Sequence, residues 1–511
     1  MEGKKQLILN FLSQVFYSVI NLAISFFLVP HIIESLSASA YGFINLSNDF
    51  VNYASLITVA LNSIAGRYIT IAIHKKKKEE ANIYFNSVVI ANIIMSIMIL
   101  IPIIFFTIFI NHILDIPANI VGDVRLLFII VFANFILSLI TSVFTIATFT
   151  SNKLYLNSIA SIVSQILRCI TLLLLFSFFK SSVWYVGFAT LISTIFTVVA
   201  NIYFTKKLTP ELKINFKQFK FQYIVEMVKN GIWNTVNKLS GILQNGLDLL
   251  ISNIFVSSVA MGIIALPRTI TSIIFSLFGS IASIFNPNIM QAYAKDDYDS
   301  IKKQLNFAIK FTGTFSNVCI AIFIAVGFEF YHLWVPTQNA EFLYLLSLIS
   351  IASLAVGIPV EPVYAVHISA NKIKKPAIMT LILSVLTIVV VICGLYITDN
   401  EDIKMIIISG TSSIISLYRL LIYIPMYTAK ILEEKRTYLY PVLFKCYTSL
   451  TVCIILNFII KLMLPLSNWI SFFASCFILA CINLLINILM NFNGNEKEQF
   501  KNFFKKQFRL N

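Results

Sequence analysis

The stretch 230-NGIWNTVNKLSGILQNGLDLLISNIF-255 is long enough to cross a lipid bilayer, yet it carries polar side chains along its whole length. These polar positions advance in steps of three or four residues, which puts them on one face of a helix. The opposite face is apolar. The pattern predicts a helix with one side against lipid or protein and the other against water or polar partners. The polar face carries Asn230, Asn234, Asn237, Gly241, Asn245, Asp248 and Ser252, and Lys238 lies beside it.

The rest of the chain predicts an all-α polytopic membrane protein. Its 511 residues are 58% hydrophobic, with a mean hydropathy of +0.86, more than a soluble protein of this size can bury. Apolar runs of bilayer length recur from end to end, separated by short polar gaps, and their continuous hydrophobicity excludes a β-barrel. About fourteen membrane-spanning helices are predicted, at 11–33, 43–73, 83–111, 120–150, 156–179, 183–205, 224–256, 259–290, 304–334, 341–370, 376–398, 404–428, 442–464 and 469–492.

The net charge of +15 is unevenly divided between the two sides of the predicted membrane. Basic blocks such as Lys75–Lys78 and Lys206–Lys207 fall on alternate connections, whereas the other connections hold little more than Arg125, Lys180 and Lys404. This asymmetry predicts that both termini lie in the cytoplasm. The basic runs therefore indicate topology and contact with anionic membrane lipids, and no nucleic acid is expected as a partner.

Three short motifs recur at a fixed distance of 219 or 220 residues, which predicts two copies of one six-helix unit. Six is an even number, so the copies have the same orientation and form two parallel six-helix lobes. The matching pairs are Tyr41-Gly42 with Met261-Gly262, Ile116-Pro117 with Val335-Pro336, and Ser151-Asn152-Lys153 with Ala370-Asn371-Lys372. The predicted domains are an N-lobe at 1–205, a basic cytoplasmic linker at 206–223, a C-lobe at 224–428, and a final part at 429–511 with two extra C-terminal helices and a basic tail.

The polar face of the segment at 224–256 has two interpretations. Its asparagines could bond to neighbouring helices and hold the bundle together. Alternatively, the face lines a wet cavity between the lobes, which explains better why the ionisable Lys238 and Asp248 lie at depth. On this second interpretation, Asn234, Asn237, Lys238, Asn245 and Asp248 bind the substrate.

Other ionisable residues extend this candidate cavity. Arg268 lies at a depth similar to that of Asp248, so the two are predicted to pair or to share a site. Arg168 and Arg419 are candidate phosphate contacts, because a guanidinium group matches phosphate oxygens in a bidentate way. Asp49 and Arg67 share one face of the second span at different depths, and snorkelling to the interface is the alternative role of Arg67.

Glu361-Pro362, together with Pro359, predicts a kinked or unwound segment in the tenth span. Freed carbonyl groups and the Glu361 carboxylate could there bind Na⁺ or H⁺ as the coupling ion, and Asp248 is a second candidate for this role. The alternative is a kink with an inward-facing glutamate that binds no ion.

Signatures of catalysis and of metal binding are absent from the sequence. No P-loop, dinucleotide-binding glycine turn or H-E-x-x-H motif occurs, so the chain is not expected to be an enzyme. Its seven cysteines are scattered and form no C-x-x-C pair, which predicts no metal site and no cofactor.

The phrases SASAYGFINLSNDFVNYASL, NSIAGRYITIAI and HISANKIKKPAI, together with the two-lobed pattern, resemble the bacterial polysaccharide flippases. These O-antigen and capsule repeat-unit translocases belong to a superfamily that also holds multidrug extruders and the lipid II flippase. The resemblance implies a protein of the bacterial inner membrane. It would move undecaprenyl-pyrophosphate-linked oligosaccharide from the cytoplasmic to the outer leaflet by alternating access, coupled to an ion gradient. It further implies a polysaccharide polymerase and a chain-length regulator as partners.

Two alternatives remain open at this point. A multidrug extruder of the same superfamily would prefer carboxylates and aromatic rings around organic cations, whereas the charges at depth here are mostly cationic. A scaffold of a glycan-assembly complex would transport nothing. Lipid II flippases carry cationic residues in their first span, whereas this chain has no charged residue between Lys5 and Glu34, with His31 neutral. A glycan other than lipid II is therefore favoured.

Overall fold

The computed structural model describes residues 2–494 and 496–497, without the side chains of 2–12, 14–15, 17–19, 245 and 280. This described part contains helices and no strand, so the predicted all-α class is confirmed. The main helices are α1 (Glu2–Ser35), α2 (Ala38–His74), α3 (Lys78–Ile108), α4 (Val121–Thr150), α5 (Leu154–Phe178), α6 (Tyr185–Leu208), α7 (Phe221–Gly241), α8 (Asp248–Phe255), α9 (Ser258–Tyr293), α10 (Tyr298–Trp334), α11 (Ala340–Ser369), α12 (Lys374–Leu395), α13 (Glu401–Ile431), α14 (Tyr440–Lys461) and α15 (Trp469–Asn491).

Twelve helices in the described part are long and apolar enough to cross a membrane, namely α2 to α6 and α9 to α15. The two remaining predicted spans correspond to α1, which includes the shorter apolar helix Ile20–Ser35, and to α7 with α8. The polar face of α7 lowers its hydropathy below that of the other spans.

The chain divides into two compact units, Met1–Gly262 and Ile263–Asn511. The first unit contains α7 and α8, although the sequence repeat assigns them to the C-lobe. The boundary between the compact units therefore lies at a different place in the chain from the boundary between the two sequence copies. The predicted lobe boundaries describe the copies and stay a prediction.

In the first unit, α7 packs antiparallel to α2 at a very short separation. A Cβ atom added to Gly231 would lie 1.8 Å from the carbonyl oxygen of Ala60, so only glycine permits this approach. A second close contact joins Gly42 to the backbone of Gly262. These two glycines are the matching positions of the first repeated motif, so that motif marks a place where the two copies touch.

The third repeated motif forms the same turn in both units. Asn152 and Asn371 each follow a helix with a positive φ, 53° and 52°, a backbone region that asparagine tolerates well. In each turn the next residue donates its N–H to a carbonyl five residues earlier, Lys153 to Thr148 at 2.8 Å and Lys372 to His367 at 2.9 Å. The motif therefore recurs because it ends a helix in the same way twice.

The segment that joins α6 to α7 is fastened to α3 by two asparagines one turn apart. Asn82 accepts a hydrogen bond from the N–H of Lys213 and donates one to the carbonyl of Glu211, both at 2.8 Å. Asn86 accepts from the N–H of Asn215 at 2.7 Å and donates to the carbonyl of Lys213 at 2.9 Å. These bonds attach the predicted linker to the first unit.

The second unit is built around α10, which packs against α11, α14 and α15. One apolar cluster lies where α10 meets α13 and α14, around Leu305, Ile309 and Leu443. A second cluster lies further along α10, around Ile320, Ile358 and Leu450. Both extra C-terminal helices thus share the core of this unit.

Candidate functional site

The polar face of α7 lies along α2. The Asn230 amide donates to the Tyr68 hydroxyl at 2.8 Å, and the Asn234 amide donates to the Ser63 hydroxyl at 3.0 Å. All of these contacts lie in exposed positions. The sequence offered two interpretations of this face, hydrogen bonding to a neighbouring helix and lining an open surface. Both apply to these residues.

Lys238 continues this line of contacts further along α7. Its ammonium group donates to the Asn52 side-chain oxygen at 3.1 Å, again in an exposed position. Among the described residues, Lys238 makes no ion pair. Asn237, one residue before it, is exposed. The amide groups and an uncompensated positive charge therefore share one open surface, and its role as the lining of a substrate cavity stays a prediction.

The helix changes geometry immediately beyond this surface. A π-helical turn, Ile242–Gly246, separates α7 from α8, and the Tyr53 hydroxyl of α2 donates to the Gly246 carbonyl. Such turns shift the helical register and occur often at functional sites. Asp248 begins α8 directly after the turn and is half-buried. The side chain of Asn245 lies outside the described residues.

Arg168 lies in a separate cavity of about 230 Å³ inside the first unit. Residues of α2, α4, α5 and α6 line this cavity, and no described residue of α7 takes part. Polar side chains make up nearly half of the lining, namely Ser47, Asn48, Asn134, Ser138, Arg168 and Thr190. The structure therefore gives Arg168 different surroundings from those of Lys238.

Asp49 and Arg67 have contrasting environments on α2. Asp49 is buried, with 5% of its surface exposed, whereas Arg67 is exposed. Eighteen residues of helix separate them by about 27 Å. They therefore occupy different positions in the unit, and the exposure of Arg67 fits the snorkelling interpretation.

In the second unit, Glu361 and Arg419 both lie at irregular turns. A 3₁₀ turn, Glu361–Val363, interrupts α11 where Glu361-Pro362 predicts a break, and a π-helical turn, Arg419–Tyr423, interrupts α13. Arg419 lies close enough to Glu361 to interact with its charge. It also donates to the Tyr364 hydroxyl at 3.3 Å. The structure thus brings together a predicted ion-coupling residue and a predicted phosphate contact.

Sequence reasoning missed the aromatic surroundings of this pair. His367, one turn after Tyr364, is buried and shares a 2.8 Å hydrogen bond with the Thr428 hydroxyl. The rings of Tyr423 and Tyr427 stack at 5.8 Å on the neighbouring helix. Tyrosines at i and i+4 were visible in the sequence, yet periodicity alone cannot tell which helix they face.

Arg268 belongs to the second unit, on α9, and is half-buried. Its proposed pairing with Asp248, which lies in the first unit, stays a prediction. Within the described residues, no group of three or more histidine, cysteine, aspartate or glutamate side chains could hold a metal ion.

Comparison with known proteins relates this fold to membrane transporters. No protein-family model matches the chain. The uncharacterized membrane protein EpsK of Bacillus subtilis (strain 168) is 27% identical over 471 residues, which covers 91% of this chain and 92% of that protein. This relative has nearly the same extent as the present chain.

Two groups of solved structures share the fold. An inward-facing multidrug resistance MATE family transporter of the MOP superfamily matches with a TM-score of 0.67, covering 82% of this chain and 96% of its own. The lipid II flippase MurJ, in an inward closed conformation, matches with a TM-score of 0.63, covering 98% of this chain and all of its own. Both are only 14% identical in sequence to this chain, so the matches show a shared fold and nothing more specific. The match to MurJ is long enough to include α14 and α15.

Proposed function

We propose that this protein is a flippase for undecaprenyl-pyrophosphate-linked oligosaccharide repeat units. It moves them from the cytoplasmic to the outer leaflet of the inner membrane by alternating access. The observation that carries this proposal is the open polar face of α7, where Asn234, Asn237 and Lys238 present amide groups and a positive charge on a helix that is predicted to cross the membrane.

The chemistry of the face fits such a substrate. Amide groups donate and accept hydrogen bonds, as the hydroxyl groups of sugars require. The Lys238 ammonium group has only an uncharged partner, Asn52, among the described residues. It is therefore available to the negative charge of a pyrophosphate. The prenyl chain needs no polar partner and can remain in lipid.

The other basic residues belong to other parts of the chain. Arg168 would act from its own polar cavity, and Arg268 from α9 of the second unit. Arg419 already donates to the Tyr364 hydroxyl, and Tyr364 lies one turn after Glu361. In this proposal the Glu361 and Arg419 turns form the ion-coupling element for Na⁺ or H⁺, with Asp248 as the second candidate.

A multidrug exporter is the competing function, because MATE transporters share this fold. An organic cation would meet the uncompensated Lys238 charge on the open face and be repelled by it. A lipid II flippase is a further alternative, since MurJ also shares the fold. The absence of charge between Lys5 and Glu34 favours a different glycan.

A deletion strain tests the proposal directly. We expect loss of surface glycan and accumulation of lipid-linked oligosaccharide on the cytoplasmic leaflet, measured in the same cells. Restoring the wild-type gene should reverse both effects. Normal surface glycan together with new sensitivity to cationic dyes would identify a multidrug exporter instead.

The same assay separates a transporter from a scaffold. Alanine at Lys238 and Arg268 should abolish glycan export at a protein level equal to that of the wild type. Unchanged export by the double variant would leave only the scaffold function.

A further inference from the structure

A polar seam runs along the line where one face of α10 meets α14 and α15. On α10 Lys310, Thr314 and Asn317 follow the spacing of one helical stripe, and Glu329 lies further along the helix towards its other end. Nineteen residues separate Lys310 from Glu329, which corresponds to about 28 Å of helix. The seam is therefore about as long as the hydrocarbon core of a bilayer is thick.

An ion pair closes each end of the polar seam. The Lys310 ammonium group contacts both carboxylate oxygens of Glu496, at 2.6 and 2.7 Å. At the other end, the Lys461 ammonium group lies 2.7 Å from a Glu329 oxygen and donates to the Ala325 carbonyl at 2.8 Å. Both lysines are largely removed from solvent, and a charge in such a position is costly without a partner of opposite charge.

In the half of the seam next to Lys310 the amide N–H groups bond between helices, whereas the side-chain oxygens of Asn317 and Asn491 have no protein partner in the described part of the chain. The Asn317 amide donates to the Cys446 carbonyl at 2.8 Å and to the Asn487 side-chain oxygen at 3.1 Å. The Asn491 amide donates to the Thr314 hydroxyl at 3.1 Å. These bonds are of the kind that hold membrane helices together.

The other half of the seam has more unmet groups, because here whole amide side chains lack partners. Asn457 and Asn483 have no exposed surface, and neither amide atom of either side chain bonds to a protein group in the described part of the chain. The second carboxylate oxygen of Glu329 is also buried and bonds to no protein group in the described part of the chain. Asn457 lies one turn from Lys461, the partner of Glu329. Each unmet buried polar group costs about 1–3 kcal/mol, so association between helices alone does not explain this arrangement.

The chemistry of these groups selects the ligand. Each amide needs an acceptor for its N–H groups and a donor for its oxygen. A metal cation would satisfy the oxygens and leave the N–H groups unmet, and an anion would do the reverse. Water supplies both functions in the smallest volume, and buried water commonly completes such sites.

We propose that the polar seam is an internal hydration site, with ordered water bound at Asn457 and Asn483. Water enters at the Glu329–Lys461 end, where these two side chains are 22% and 23% exposed. It supplies the partners that the protein lacks in this half and so keeps α14 and α15 docked on α10. The inference concerns the second unit alone and does not depend on the transported substrate.

Millisecond hydroxyl-radical footprinting of the full-length protein in lipid nanodiscs tests this inference, because radicals formed from bound water oxidise the side chains that touch it. Cys453 is the reporter, since it is fully buried and receives a 3.1 Å hydrogen bond from Asn487, one turn from Asn483. Cys446, two turns away on the same helix and also fully buried, is the matched control. We expect Cys453 to be oxidised several-fold faster than Cys446. Equal oxidation of the two cysteines would mean a dry seam and would overturn the proposal.

The variants Asn457→Leu and Asn483→Leu, separately and together, locate the water. Replacing both amides should lower Cys453 oxidation to the level of Cys446, with thermal unfolding used to confirm that the protein remains folded. Persistent oxidation of Cys453 in a folded double variant would contradict binding at these amides. If the double variant does not fold, the single variants and the comparison of wild-type cysteines still decide the question.

Discussion

At the scale of single residues, Lys238 is the group on the α7 face whose charge the proposed substrate site depends on most. Its described partner is the uncharged side chain of Asn52, and a nearby carboxylate would have removed its attraction for anions. The ammonium group can therefore contribute a charge-assisted bond to a pyrophosphate oxygen.

Substituting Lys238 should weaken glycan export in a charge-dependent way. We expect Lys238→Gln to lower export about tenfold to a hundredfold, which corresponds to the loss of a charged hydrogen bond of about 1.5–3 kcal/mol. Lys238→Arg should retain most of the activity. Export is measured as labelled surface glycan per unit of membrane-embedded protein.

Lys229 provides the matched control for this experiment. It lies on the same helix, is exposed, and belongs to the end of α7 that is predicted to reach the membrane surface. Lys229→Gln should leave export near the wild-type level. If both substitutions reduce export equally, Lys238 has no special role.

At the scale of helices, the contact between α2 and α7 depends on Gly231. A side chain at this position would collide with the Ala60 carbonyl group of α2, which is backbone and cannot move aside without separating the helices. The polar face of α7 is thus held along α2 by the close packing of the adjacent Gly231 against the same helix.

Gly231→Ala should therefore destabilise the first unit by at least about 1–3 kcal/mol, the usual cost of overpacking a tight interface. Thermal unfolding of the purified protein measures the effect. Gly241→Ala is the control, because no atom lies within 4 Å of the added carbon and alanine favours the helix by about 0.5–1 kcal/mol. A Gly231→Ala protein as stable as the Gly241→Ala protein would contradict the close approach.

The helices themselves were predictable from the sequence, whereas several of their contacts were not. Continuous apolar runs define membrane helices, and Glu361-Pro362 gives a break in α11 where the structure has a 3₁₀ turn. The repeated glycine motif predicted two copies, but not that Gly42 touches Gly262. The polar seam was missed because its stripe is divided among three helices, and only folding brings Asn317 beside Asn487.

At the scale of the whole molecule, the number of membrane crossings depends on α7 with α8. The twelve apolar helices and α1 give an odd number, so a further crossing by α7 and α8 is needed for both termini to lie on the same side. The distribution of charge predicts this crossing. Without it, the basic linker that contains Lys217 and the later turn that contains Lys295 would lie on opposite sides of the membrane.

Cysteine labelling in a cysteine-free background tests this topology. A membrane-impermeant maleimide should label Val256→Cys in intact cells, because the turn after α8 is predicted to face outward. Lys217→Cys and Lys295→Cys should react only after permeabilisation. If Val256→Cys is instead protected together with Lys217→Cys, α7 and α8 do not cross the membrane. The polar face of α7 would then lie outside the transport path, and the proposed substrate site would be lost with it.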